Sequence, residues 1–283
     1  MDVTRIGVVG AGTMGRGVAQ VCAASGFDVV MSDISTEAVA AGLASIGKQL
    51  AREVEKERLG AAEKDAVLAR IETVTGIEAM AGVDVCIEAA TEAPDVKLDL
   101  FRALESVCGQ DVMLASNTSS ISLTKIAGAC ARPERVIGMH FFNPVPLMKL
   151  VEIIRAMQTS DATFEAARTL AGRLGKTAIA VADSPGFVVN RMLVPMINEA
   201  VYAYSEGLAS AEEIDTAMQL GLSHPIGPLR LADLIGIDVC LYVMDVMYLE
   251  FCDSKYRPCP LLRKMVDAGR LGRKSGRGFY EYE

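Results

Sequence analysis

The sequence predicts an α/β protein in two parts, a doubly wound sheet with a helical arm over 1–184 and an all-α domain over 185–283. Three observations carry this. The β-branched run Arg5-Ile6-Gly7-Val8-Val9 enters the turn Gly10-Ala11-Gly12-Thr13-Met14-Gly15, after which Val18, Val21, Cys22 and Ser25 recur at helical spacing. Short apolar runs ending in polar clusters then recur through the first part, as strands of a parallel sheet do. Beyond Ala182-Asp183-Ser184-Pro185-Gly186 the pattern is helical throughout, so the boundary belongs at that turn.

Composition narrows the function. A chain of 283 residues with 51% hydrophobic side chains sustains one large core or two ordinary ones. Its net charge of -8 lacks the basic field that nucleic acids need. The seven cysteines are odd in number and without paired CxxC spacing, which argues for reduced thiols in a cytoplasmic protein and against a disulfide frame or a metal site. No secretory leader is expected, because Met1-Asp2-Val3-Thr4-Arg5 leads straight into a strand. No apolar run reaches bilayer length without charge or proline, so no membrane partner is expected.

The first strand, turn and helix spell GxGxxG with Gly10, Gly12 and Gly15. Glycines there let the backbone turn sharply and approach a pyrophosphate, with the amides of the helix N-terminus facing the anion. A second strand, Asp28-Val29-Val30-Met31-Ser32, ends at Asp33, near the spacing at which an acid meets the adenosine ribose. This is a Rossmann-type arrangement, and a carboxylate at Asp33 repels a 2′-phosphate, so NAD is expected over NADP. The Ala-rich stretch 35–70 reads as one long helix or a helix pair. Lys48, Arg52, Lys56, Arg58 and Lys64 along it form either a solvated face or a basic hand for an anionic substrate tail.

Strands at 83–90, 112–115 and 136–139 end at Thr91-Glu92, at Ser116-Asn117-Thr118-Ser119 and at His140. Ligands of such sheets sit at the carboxyl ends of the strands, so Glu92, Lys97, Asn117 and Ser119 fall near the cofactor. The stretch 116–152 gathers a hydroxyl (Ser119), an imidazole (His140), an amide (Asn143) and a carboxylate (Glu152), an inventory suited to proton transfer. Read alone, His140 and Glu152 also fit a satisfied core histidine and an ordinary strand residue. His224, in a Pro-rich turn, reads as structural.

The last strand is expected at 176–181, followed by helices over 187–206, 211–220 stopped by Gly221, and 237–252. Leu193, Ile197, Ala200 and Val201 are more apolar than one exposed face needs, which favours a homodimer through the C-terminal domain. The basic tail 263–277 reads as a solvated face or a phosphate contact.

SNTSS, HFFNP, MKLVEI, DSPGFVVNR and GRKSGRGFYEY, added to GxGxxG with Asp33, resemble the 3-hydroxyacyl-CoA dehydrogenase family over essentially the whole chain, especially its compact 3-hydroxybutyryl-CoA dehydrogenases. The resemblance implies an active site of Ser119, His140, Glu152 and Asn190, all present without substitution. It implies cofactor contacts at the glycine turn (Gly10, Gly12, Thr13, Met14, Gly15) and at Asp33, Glu92, Lys97, Ser119 and Asn143, and a coenzyme A contact at Lys56. It also implies the same homodimer. Asn190, one turn into the first C-terminal helix, is expected to complete an interdomain site.

The expected reaction is NAD-dependent, reversible oxidation of a (3S)-3-hydroxyacyl-CoA to the 3-ketoacyl-CoA, with His140 as acid/base, Glu152 fixing its ring, and Ser119 and Asn190 on the substrate oxygen. The alternatives are a dehydrogenase of a free 3-hydroxy acid or sugar acid, and a non-catalytic crystallin-like relative, which would show a lesion among the four site residues. Asp33→Ala is expected to raise the KM for NADH by about tenfold, the size of a lost charged hydrogen bond, and to narrow the preference over NADPH. Initial rates with both cofactors measure this, and an unchanged ratio removes the basis for choosing NAD.

Overall fold

The computed structural model describes residues 3–282. Met1, Asp2 and Glu283, which the expected leader-free start and the domain limits include, lie outside the described residues. The chain divides into two compact units that meet at Ser184 and Pro185.

In the first unit, β1 (Arg5–Val9), α1 (Thr13–Ala24), β2 (Asp28–Asp33), the arm helices α2 (Thr36–Glu55) and α3 (Ala61–Ala69), and β3 (Ile71–Thr75) form one half of the doubly wound sheet. The chain goes on through β4 (Val85–Glu88), α4 (Pro94–Val107), β5 (Met113–Ser116), the short α5 (Leu123–Ala127), β6 (Val136–Phe141), β7 (Leu150–Arg155), α6 (Asp161–Arg173) and β8 (Thr177–Ala182). The strand order is β3-β2-β1-β4-β5-β6-β7-β8. Every adjacent pair is parallel except β6 and β7, which run antiparallel. β4, β5 and β6 are buried along their whole length, which explains their unbroken apolar runs. Ser35 and Ser160 cap α2 and α6 by accepting from the amides of Ala38 and Thr163, and Pro94 opens α4 where a missing N–H costs nothing.

The stretch 35–70 is a helix pair. α2 stops at Lys56, and Glu57 takes a left-handed φ of 56°. The basic residues expected on this arm lie mostly in solvent. Arg58 pairs with Glu53 at 3.7 Å and Lys64 with Asp65 at 3.5 Å, contacts worth little at an exposed surface.

The second unit is helical: α7 (Val189–Ser205), α8 (Ala211–Leu222), α9 (Pro228–Ile235), α10 (Ile237–Phe251) and α11 (Pro260–Asp267). Its core contains Val194, Ile197, Val201, Leu229, Val243, Met244 and Leu262. The first helix begins at Val189, later than expected, because Phe187 has a φ of 49° that no helix accommodates. The second runs through Gly221 and ends one residue on, with Ser223 left-handed. α9 and α11 were not anticipated. Each is short and begins with Pro at its first position. Six cysteines are buried thiols and Cys252, at the end of α10, is exposed. Burial pushes the Cys22 thiol up to about 12.

Two buried carboxylates tie the C-terminal segment to this bundle. Asp233 accepts from the amides of Phe279 and Tyr280, both at 3.0 Å, and from the Tyr282 hydroxyl at 2.9 Å. Asp215 accepts from the amides of Leu229 and Arg230 and from the Tyr280 hydroxyl. The FYEY ending is thus held by acids in α8 and α9. In the basic tail, Arg263 pairs with Asp245, Lys274 with Asp238 and Arg277 with Glu281. Asp233→Ala leaves several buried donors without an acceptor, and a loss of about 3 kcal/mol or more is expected in urea unfolding of the full chain. Arg277→Ala, which removes only an exposed pair, is expected to cost under ~1 kcal/mol. Equal losses would show that the carboxylate does not anchor the segment.

Candidate active site

The glycine turn is shaped by close packing on two sides and openness on a third. Gly10 has a φ of 107°, and a Cβ there would come within 2.5 Å of the Ala89 carbonyl oxygen. A Cβ on Gly15 would meet the Gly10 carbonyl oxygen at 1.8 Å, whereas one on Gly12 would meet no atom within 4 Å. Gly12 is the N-cap of α1, with no side chain capping the first turn and no acid within it. Its surroundings therefore suit a pyrophosphate drawn close to bare backbone amides. Asp33, at the carboxyl end of β2, is tied to the same turn: its Oδ2 accepts from the Ala11 amide at 2.6 Å and its Oδ1 from the Ile34 amide at 2.7 Å. The carboxylate is held beside the turn, where ribose hydroxyls would donate to it. The residues present fit a dinucleotide.

Two acids organise the next strand ends. Glu88, the last residue of β4, is fully buried and its carboxylate receives the Lys97 ammonium at 2.6 and 2.5 Å, the Ser116 hydroxyl at 2.7 Å and the Ala90 amide at 2.8 Å. Lys97 is 2% exposed, so its ammonium lies inside the protein on Glu88. Glu92 stands further out. Its Oε1 accepts from the Ser119 amide at 2.8 Å and the Ser119 hydroxyl at 3.2 Å, and its Oε2 accepts from the Thr118 hydroxyl at 2.7 Å. Asn117 is buried, and its side-chain carbonyl accepts from the Phe141 amide at 2.9 Å, stitching the end of β5 to the end of β6.

His140 lies within β6, and the antiparallel register pairs it directly with Glu152 of β7. Directly paired residues project to the same face. The Nδ1 of His140 is 2.7 Å from Glu152 Oε2, with Glu152 fully buried and His140 6% exposed. An ionised carboxylate only accepts, so in this contact the hydrogen comes from Nδ1. The Phe142 ring, 4.6 Å from the imidazole centroid, packs beside it. Glu88, Ser116 and Gly138 share one rung of the sheet, so His140, two residues past Gly138, is on the same face as the Glu88 network.

Asn143 is exposed in the loop from β6 to β7. Lys176 holds that loop by donating to the carbonyls of Val145 at 2.6 Å and Met148 at 2.7 Å, and burial lowers its pKa. Lys56 is exposed at the end of α2, and Asn190 is the second residue of α7 in the helical unit. Ser119, His140, Glu152, Glu92, Asp33 and the glycine turn belong to the carboxyl edge and the adjoining face of one sheet.

Sequence reading missed Glu88, Asp183 and Lys176. Asp183 accepts from the Ser122 hydroxyl at 2.7 Å and from the amides of Leu123 at 3.1 Å and Thr124 at 2.7 Å, so the acid of the DSPG motif caps the helix that follows SNTSS. The signal for Glu88 was an acid inside an otherwise apolar strand, a placement that demands a buried partner.

Residues 5–184 match the profile of the 3-hydroxyacyl-CoA dehydrogenase NAD binding domain, and residues 186–282 match that of the 3-hydroxyacyl-CoA dehydrogenase C-terminal domain. The chain is 52% identical over 283 residues to the probable 3-hydroxybutyryl-CoA dehydrogenase of Bacillus subtilis, covering 100% of this chain and 99% of that one. It is 50% identical over 280 residues to the 3-hydroxybutyryl-CoA dehydrogenase of Bradyrhizobium diazoefficiens, covering 99% and 96%. The crystal structure of (S)-3-hydroxybutyryl-CoA dehydrogenase from Ralstonia eutropha matches with a TM-score of 0.97 at 55% identity, covering 100% of both chains. The first unit is an NAD-binding domain, and the chain belongs to the 3-hydroxyacyl-CoA dehydrogenase family of oxidoreductases.

Proposed function

We propose that this protein interconverts (3S)-3-hydroxyacyl-CoA and 3-ketoacyl-CoA with NAD, acting on short chains such as 3-hydroxybutyryl-CoA and acetoacetyl-CoA. The observation that carries this reading is the 2.7 Å contact between His140 and Glu152, on the same face of the sheet as the strand ends beside the glycine turn. The names of the relatives support the chain length and the stereochemistry.

NAD supplies the acceptor for the hydrogen and electron pair that leave C3 of the alcohol. His140 Nε2 takes the hydroxyl proton as the carbonyl forms, and returns it in the reductive direction. Glu152 holds the ring by Nδ1 and stabilises the imidazolium, without itself taking the proton. The Ser119 hydroxyl turns from Glu92 toward the substrate oxygen, and Asn190 supplies a second donor to it. Both act where negative charge grows on that oxygen. Asp33 accepts from the adenosine ribose, and Glu92 and Asn143 border the nicotinamide end. Lys56 meets the coenzyme A moiety. The free thiols suit a reducing cytoplasm. The helical unit presents Leu220 and Leu222 of α8 and Leu249 of α10 to solvent, apolar surface that a second copy of the chain would cover.

In Glu152→Gln the amide oxygen still orients Nδ1, but the charge that stabilises the imidazolium is gone. We expect kcat for acetoacetyl-CoA reduction to fall by roughly a hundredfold while the thioester KM stays within a few-fold. Wild-type turnover in this variant would falsify the dyad. The same assay with free acetoacetate in place of the thioester tests the substrate class, and equal kcat/KM for the two would sink the coenzyme A assignment.

A further inference from the structure

The cluster of Glu88, Lys97 and Ser116 takes no part in the chemistry described above, yet it is a deeply buried ionic group, with Glu88 and Ser116 fully enclosed. Stability alone is a poor reason for such a cluster. Desolvating two charges offsets most of their attraction, and well-packed apolar residues of similar volume are often as stable or more so. What apolar residues cannot do is accept hydrogen bonds in fixed directions.

The Glu88 carboxylate accepts along two such directions. On one side it fixes the Ala90 amide at 2.8 Å, and the Ala89-Ala90 backbone is the surface on which Gly10 rests: a Cβ on Gly10 would approach the Ala89 carbonyl carbon to 2.8 Å and the Ala90 Cα to 3.0 Å. On the other side it takes the one hydroxyl hydrogen of Ser116 at 2.7 Å, which leaves the Ser116 oxygen to accept from the Thr118 amide at 3.2 Å. Thr118 and Ser119 then meet Glu92. Lys97 donates to both oxygens of the same carboxylate, and the Ala90 amide can only donate, so that bond has one direction.

We propose that Glu88 is a positioning residue for the dinucleotide crevice, acting through the Ala90 amide on the glycine turn and through the Ser116 hydroxyl on the Thr118-Ser119 turn. It touches neither cofactor nor substrate. It sets the two segments that do; Lys97, which the resemblance implies as a cofactor contact, has its ammonium on Glu88 in this structure. The inference rests on the reading of the crevice as an NAD site with Ser119 at the substrate oxygen.

The two arms are separable. In Glu88→Leu/Lys97→Met the charges leave together and the volume stays, so the melting temperature should remain near wild type. NADH affinity, read by fluorescence titration without thioester, should weaken by about tenfold, the scale of one lost buried acceptor. In Ser116→Ala only the second arm is cut, so kcat for acetoacetyl-CoA should fall by about tenfold while NADH affinity stays within roughly threefold. A purely structural cluster would lower the melting temperature and the folded fraction but leave both constants unchanged per folded molecule. Wild-type NADH affinity in a folded Glu88→Leu/Lys97→Met protein overturns the proposal. Where that protein does not fold, wild-type kcat in Ser116→Ala overturns it. His140→Ala, titrated alongside, is expected to bind NADH without turning over. A wild-type protein that bound NADH but did not reduce acetoacetyl-CoA would sink the proposed function, and the titration of the Glu88 variant would still decide this inference.

Discussion

A parallel sheet leaves backbone amides at its carboxyl edge with no neighbouring strand to accept from them, and in this protein acids from elsewhere take that part. Asp33 accepts from Ala11, Glu88 from Ala90 and Glu92 from Ser119. On the adjoining face, Asp183 does the same for Leu123 and Thr124 at the start of α5. Asp33, Glu92 and Asp183 join segments far apart in the chain, and Glu88 fixes the turn that follows its own strand. The helical unit uses the same device where no ligand is involved: Asp215 and Asp233 accept from backbone amides that would otherwise be buried alone. A hydrogen bond to an ionised acceptor is stronger than a neutral one, so a single side chain can hold two or three donors in place.

These acids differ in what surrounds them, and that difference separates their work. Glu88 and Glu152 are fully buried, the first against Lys97 and the second against His140. The first partner is an ammonium reaching both carboxylate oxygens from a helix nine residues on, and the second an imidazole set against its acid by strand pairing. Asp33 and Glu92 are less enclosed, and each accepts from backbone amides of the loops beside it. One chemical group thus stands in three surroundings: against a buried ammonium, against a buried imidazole, and in loops nearer solvent.

Much of this was legible in the sequence because it is local. GxGxxG, Asp33 at the end of a β-branched run, and the polar clusters after 90, 115 and 139 are each contained in a few residues, and strand periodicity places them at one edge. The position of Glu152 against His140 was not legible from spacing alone. It follows from an antiparallel reversal after a run of parallel strands, and only the resemblance of MKLVE pointed to it. Glu88 and Asp183 were missed for a related reason, since their partners lie as far as 28 and 61 residues away and no periodicity records such a pairing. α9 and α11 escaped because eight residues between prolines and glycines carry too little periodic signal to separate a short helix from a turn.

The reversal between β6 and β7 bears on how such a protein can change over evolutionary time. Side chains on a strand alternate between faces, so shifting one of these two strands past the other by a single position would send the imidazole and its acid to opposite sides of the sheet. The connecting segment from 142 to 149 lies outside the paired residues. It is held by Lys176, which donates to the carbonyls of Val145 and Met148. Substitutions there, Asn143 aside, leave the two strands in register, so they are the changes that the paired imidazole and acid tolerate most readily.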